Sequence, residues 1–171
     1  VFSLFATNAV SLGNTARASG VPRLLGRFLH AMRRNTRRGS RRNIAFHYDL
    51  GNDFYRLWLD EDMYYSSALF ADPDDIFEEA QQRKASAVLD RLDLKDGDRL
   101  LEIGCGWGAL GKAALERADI DYTGLTLSQE QKALADIRLA PWAARDKARI
   151  HLSDYRDADG AHDAIVSVEM V

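Results

Sequence analysis

One cysteine, Cys105, is all the chain carries, so no intramolecular disulfide forms, and no Cys/His spacing suited to zinc is present. No run of 18 apolar residues occurs, so no segment reads as a membrane-spanning helix. The apolar start, Val1-Phe2-Ser3-Leu4-Phe5, lacks the charged segment that opens a signal peptide. Acidic residues are missing altogether from residues 1–48, where nine arginines stand: Arg17, Arg23, Arg27, Arg33, Arg34, Arg37, Arg38, Arg41 and Arg42. The rest of the chain holds all 26 acids against 14 of the 23 lysines and arginines. So one-sided an arm suits a polyanion, either nucleic acid or an anionic membrane surface, with a solvated linker as the plain alternative. No initiator Met is present and the pattern stops in mid-run at Val171, which reads as a fragment of a longer protein.

What is present suits one α/β domain, or one domain with a small appendage: 171 residues, 46% of them hydrophobic. Residues 22–35 read as a basic amphipathic helix, with Leu24, Leu25, Phe28, Leu29 and Met32 at helical spacing and Pro22 at its start. The arginine-rich stretch 33–42 reads as an exposed linker. An aromatic-rich segment follows over 43–72, with Phe46, His47, Tyr48, Phe54, Tyr55, Trp58, Tyr64, Tyr65 and Phe70. Asp74 is placed to cap a long helix reaching Asp93, with Ala80, Ala87, Val88 and Leu92 facing inward.

Beyond it short apolar strands alternate with helices. Strands are expected over 99–103, 122–125, 148–152 and 164–168, with helices over 108–118 and from Ser128 onward. Gln131 stands three residues after Ser128, the spacing of a capping box. This alternation predicts a parallel sheet wrapped by helices.

Strand one runs through Glu102 into Gly104-Cys105-Gly106-Trp107-Gly108, three glycines at alternate positions before a helix. Such a loop turns tightly, and the helix after it offers N–H groups to a ligand. A dinucleotide fingerprint also wants an acid at the end of strand two, to hold ribose hydroxyls. Gly124-Leu125-Thr126-Leu127-Ser128 has none. That absence, the third glycine and Glu102 before the loop favour S-adenosylmethionine over a dinucleotide.

Five blocks carry a resemblance. They are Ile44-Ala45-Phe46-His47-Tyr48-Asp49-Leu50-Gly51-Asn52-Asp53-Phe54-Tyr55, Met63-Tyr64-Tyr65-Ser66-Ser67-Ala68, the glycine loop with Trp107, Thr126-Leu127-Ser128-Gln129-Glu130-Gln131, and Asp154-Tyr155-Arg156-Asp157. In this order and spacing the chain resembles the cyclopropane-fatty-acyl-phospholipid synthase family of S-adenosylmethionine-dependent methyltransferases over residues 40–171. The resemblance implies an α/β fold, the N-terminal half of a Rossmann-like methyltransferase sheet with four parallel strands, preceded by helical segments. Residues 1–42 would then be the basic helical and linker end of an N-terminal lipid-associated region, and residues 43–171 the methyltransferase domain, incomplete at its C-terminus.

The same resemblance assigns cofactor contacts to Tyr65, Ser66, Glu102, Gly104, Gly106, Thr126, Leu127, Gln131, Asp154 and Tyr155. It places Asp154 and Tyr155 near the adenine edge and gives Gln131 the place of the usual ribose-binding carboxylate. Plainer roles stand beside these: core for Tyr65, a capping partner for Gln131, loop fixing for Glu102, structure for His47. His151 and His162 have no assigned role. It also implies transfer of a methylene group to a cis double bond of a phospholipid acyl chain, with bound bicarbonate as base and Cys105 positioning it. The family's Glu-His pair is expected immediately after Val171, so the chain as it stands should bind cofactor poorly and not turn over. The implied partner is an anionic phospholipid surface reached from the cytoplasmic face, as a peripheral protein; no nucleic-acid motif follows the basic arm. A homodimer is compatible with these features.

Overall fold

The computed structural model describes residues 51–169. The expected basic helix, the linker and the residues Phe46, His47 and Tyr48 lie outside them. The described elements, in chain order, are α1 (Gly51–Tyr55), α2 (Phe77–Leu92), β1 (Arg99–Ile103), α3 (Ala109–Arg117), β2 (Asp121–Thr126), α4 (Gln129–Arg138), α5 (Ala140–Ala143), β3 (Ala148–Leu152), a 3-10 turn (Tyr155–Asp157) and β4 (Ala164–Val166).

The four strands form one parallel sheet in the order β3-β2-β1-β4. Leu100 lies opposite Tyr122 on one side and Ala164 on the other, so β1 is central. The chain steps outward from β1 to β3 and then crosses back to place β4 against the free edge of β1. The carboxyl ends of β1 and β4 therefore flank a point where the winding reverses, the usual ligand position in an open parallel sheet. Both faces of β1 are buried at Leu100 and Leu101, as a helix-covered parallel strand requires. Strand four ends at Val166, two residues sooner than expected, because Ser167 turns its hydroxyl onto the Ile103 carbonyl instead of continuing the ladder.

Helix α2 starts at Phe77, and Asp74 does not cap it; Ile76 holds the cap position without a side-chain bond. Asp75 organises the approach instead. Its carboxylate accepts from the N–H groups of Ala71 and Asp72 and from the Arg83 guanidinium. Those donors hold it below the usual carboxylate range, at about 2. The inward face consists of Ala80, Gln81, Ala85 and Leu89, with Val88 and Leu92 only partly buried against the core. A buried Gln had no place in an apolar stripe; its amide donates to the carbonyls of Tyr64 and Ser66 and so ties the preceding loop to the helix.

Tyr122 is threaded between two glycines. A Cβ on Gly111 would lie 2.4 Å from its Cζ, and one on Gly124 would lie 2.7 Å from its hydroxyl and 3.0 Å from Cys105 Cβ. The ring is fully buried and has nowhere to move. Gly111→Ala should therefore lower stability by about 1–3 kcal/mol through overpacking, outweighing the helix propensity it adds. Urea denaturation measures this; a raised midpoint would mean that the ring yields.

Candidate functional site

Where β1 ends, Gly104, Gly106 and Gly108 all take positive φ, between 54° and 81°. The loop they build folds over the end of β2, because the N–H groups of Gly104 and Cys105 both reach the Leu125 carbonyl at 2.9 Å. At Gly108 the backbone also passes close to α4: a Cβ there would sit 3.1 Å from that of Ala135. At Gly106 a Cβ would meet nothing, so the space above it is open to a ligand.

The loop forms one wall of a cavity of about 300 Å³ at the carboxyl ends of β1 and β2. Of the expected site residues, Tyr65, Ser66, Glu102, Gly104, Gly106, Thr126, Leu127, Gln131 and Tyr155 line it, and so does Cys105. Asp154 does not. It is buried, and its carboxylate accepts from Arg156 Nε at 2.8 Å and from the Arg156 backbone N–H at 3.0 Å, capping the 3-10 turn. That turn instead presents the neighbouring, half-exposed Tyr155 to the cavity.

Gln131 takes part in the cap of α4 and also lines the cavity. Its backbone N–H donates to Ser128 Oγ at 3.3 Å, which caps α4. The reciprocal arm of a capping box is absent: Ser128 N–H donates to Thr126 Oγ1, and that hydroxyl donates to Gln131 Oε1 at 2.7 Å. With its oxygen engaged, Gln131 offers the cavity an NH₂ group. It meets a ligand hydroxyl as a donor, where a carboxylate would accept.

Tyr65 is no core residue. It is 57% exposed and touches Tyr55 and Trp58 edge-on, while its neighbour Tyr64 is buried in the core. Glu102 is buried and accepts from the Tyr122 hydroxyl at 2.6 Å; burial raises it from 4.5 to about 7. It binds the loop to the core as well as facing the cavity.

Cys105, expected to position a bicarbonate, lines the cavity with its side chain buried. Burial pushes its thiol well up, and the nearby carboxyl of Glu102 pushes the same way. Its sulfur faces the Gly106 carbonyl at 3.8 Å, and the proton of Tyr122 is directed to Glu102. No hydrogen bond or ion pair among the described residues brings a cation to the thiol; the cation of the cavity, Lys84, donates to Ser66. Cys105 also packs into the core cluster beneath the loop.

Several contributors escaped the sequence. Arg138 donates to the carbonyls of Asp62 (2.6 Å) and Trp107 (3.0 Å), joining the aromatic segment to the glycine loop. Glu169 lines the cavity and accepts from the Ser67 N–H at 3.0 Å. Lys84, from α2, lines it too and donates to Ser66 Oγ at 2.7 Å. Arg138 and Lys84 sit in helices where a cation reads as solvated surface, so no signal marked them. Among the described residues no group of three or more His, Cys, Asp or Glu converges as a metal site, and no helix is long and apolar enough to cross a membrane.

The model of the family "Mycolic acid cyclopropane synthetase" matches residues 35–171. A Pseudomonas putida protein named "Probable fatty acid methyltransferase" is 45% identical over 129 residues, covering 74% of this chain and 33% of that protein. Tuberculostearic acid methyltransferase UfaA1 of Mycobacterium tuberculosis is 42% identical over 176 residues, covering 92% of this chain and 41% of its own length. Cyclopropane-fatty-acyl-phospholipid synthase of Escherichia coli is 43% identical over 124 residues, covering 72% and 31%. The chain thus spans well under half the length of these relatives. Among solved structures, mycolic acid cyclopropane synthase CmaA1, complexed with SAH and CTAB, superposes with a TM-score of 0.70 at 38% identity, covering 74% of this chain and 45% of that one. The sheet is accordingly of the Rossmann-like kind shared by such methyltransferases.

Proposed function

The chain belongs to the mycolic acid cyclopropane synthetase family, and from that premise we propose that it forms the cofactor-binding half of an enzyme that methylates lipid acyl chains with S-adenosylmethionine. The finer reading is methylene transfer to a cis double bond of an unsaturated phospholipid acyl chain, closing a cyclopropane ring. One observation supports the S-adenosylmethionine reading above the others: the cavity at the ends of β1 and β2, walled by the positive-φ glycine loop and edged by the Thr126–Gln131 pair.

When bound, S-adenosylmethionine supplies an activated methyl group on a cationic sulfur. The chain's own residues then bind and orient. Gly104 and Gly106 let the backbone approach the cofactor, Gln131 donates to its hydroxyls, and Tyr65 and Ser66 cover it. Tyr65 and Trp58, exposed beside Tyr55, present aromatic faces, which suit a cationic centre developing on an acyl chain. The arginines of residues 1–48 bring the protein to an anionic membrane surface, each contributing on the order of 1 kcal/mol. Equal co-sedimentation of the protein with anionic and neutral vesicles would remove that electrostatic docking.

Lipid mass spectrometry of cells expressing the full-length gene tests the activity. Phospholipid acyl chains that gain one CH₂ and lose the alkene are the expected result. A methyl branch on a fatty acid would favour the activity named for the Pseudomonas and Mycobacterium relatives. Unchanged lipids would leave a lipid- or nucleotide-binding module.

A further inference from the structure

Among the described residues, Lys84 is the one cationic side chain in the cavity wall. Two of its neighbours are fixed: Ser66 Oγ, 2.7 Å from Nζ, and the Tyr64 ring, whose centroid is 4.1 Å away. Carboxylates surround it at longer range, from Asp60 ahead of the aromatic loop, Glu102 on β1 and Glu169 after β4. None forms an ion pair with it among the described residues, and Glu102 and Glu169 already accept from Tyr122 and Ser67. An ammonium has three donors, and here one is used by a side chain. Partial burial lowers Lys84 from 10.5 to about 8, so it still carries its proton near neutrality at a desolvation cost.

Ser66 sharpens the point. Its hydroxyl oxygen accepts from Lys84, so its hydrogen is directed away from the ammonium. Lys84 and Ser66 thus both have donors not spent on each other in the wall of the cavity they line, a charge-assisted pair suited to an oxyanion. The same cavity is lined by the carboxyl groups of Glu102 and Glu169, which offer acceptors. A ligand end bearing both a carboxylate and an ammonium matches this division of sign.

We propose that Lys84, acting with Ser66, binds the α-carboxylate of the cofactor's amino-acid end and fixes the direction in which the cofactor enters the cavity. The inference rests on the S-adenosylmethionine reading. Lys84 is a binding and positioning residue, acting through charge on a group remote from the transferred methyl.

The experiment is calorimetric titration of the full-length protein with S-adenosylmethionine and with decarboxylated S-adenosylmethionine, which lacks that carboxylate alone. The intact cofactor should bind about ten- to a hundredfold more tightly, the range expected of a charged hydrogen bond out of bulk water. Lys84→Met should weaken S-adenosylmethionine by a similar factor and leave the decarboxylated ligand within about twofold, while Lys84→Arg retains part of the preference. Equal weakening of both ligands by Lys84→Met would assign Lys84 a structural role and overturn the proposal. So would equal binding of the two ligands to the unaltered protein, a comparison that needs no variant to fold. If neither ligand binds, the cofactor reading itself fails and takes this inference with it.

Discussion

Trp107→Ala should cost about 3–5 kcal/mol of stability and loosen the cover of the cavity at the same time. The indole is 2% exposed and sits in a small core of its own with Tyr55 and Met63, flanked by Leu59 and Leu134. Its ring centroid is 5.1 Å from that of Tyr55, and Nε1 donates to Asn52 Oδ1 at 2.6 Å. All but Leu134 of these partners precede α2, whereas Trp107 belongs to the glycine loop. The side chain is thus a pin from the cofactor loop into the aromatic segment that carries Tyr65 and Ser66. Truncation leaves a void that Tyr55 and Met63 cannot fill, because the Arg138 contacts to Asp62 and Trp107 hold both walls in place. Trp107→Phe keeps most of the packing and deletes the bond to half-buried Asn52, for a cost of about 1 kcal/mol. Urea melts of the two variants separate packing from hydrogen bonding. Equal, small losses would show that the satellite core contributes little.

The sheet was legible because its strands are short segments with helical spacing between them: 99–103 buries Leu100 and Leu101 side by side, as a helix-covered strand does, and 148–152, at the sheet edge, buries Ala148 and Ile150 in alternation. The cap of α4 was legible for a local reason: Ser128 and Gln131 lie one helical turn apart. What stayed hidden depends on partners distant in sequence. Asp74 reads as the cap by its position, but Arg83, two turns into the helix, engages Asp75, and the cap position itself falls to Ile76. Asp154 reads as a ligand-facing acid until Arg156 folds back on it. Cys105 reads as an anion-positioning group from its place in the loop alone; only the fold shows its thiol buried beside Tyr122 and Glu102, from two strands, and kept protonated there. Lys84 follows the same rule. On a helical wheel it is one more cation at the margin of an amphipathic helix, and only the chain returning through Ser66 makes it part of a cavity.

Glu102→Gln should flatten the pH dependence of stability between about pH 4.5 and 7 and leave the protein more stable than the parent above that range. The carboxyl is fully buried, and desolvation outweighs both the Tyr122 hydroxyl and the attraction of Lys84, raising it from 4.5 to about 7. The folded protein therefore keeps a proton that the unfolded chain releases once the pH passes 4.5. Stability falls through that window and levels off above pH 7, by about 3 kcal/mol in all. Asp60, raised chiefly by burial, adds a loss of the same sign. Asp75 and Asp163, each lowered to about 2, act in the opposite sense and only at more acidic pH. Lys84, lowered to about 8, acts at more alkaline pH, where the unfolded chain holds the extra proton. The difference between parent and variant cancels the contributions of Asp60, Asp75 and Asp163 and leaves Glu102 with its attraction for Lys84. Tyr122→Phe is the complementary test: it removes the donor that favours the ionised carboxylate, so the loss should extend to higher pH. Chemical denaturation at half-unit steps from pH 4 to 9 reads all three curves. If the Glu102→Gln curve runs parallel to the parent's, the carboxyl titrates alike in the folded and unfolded chain, with water in the cavity solvating its charge.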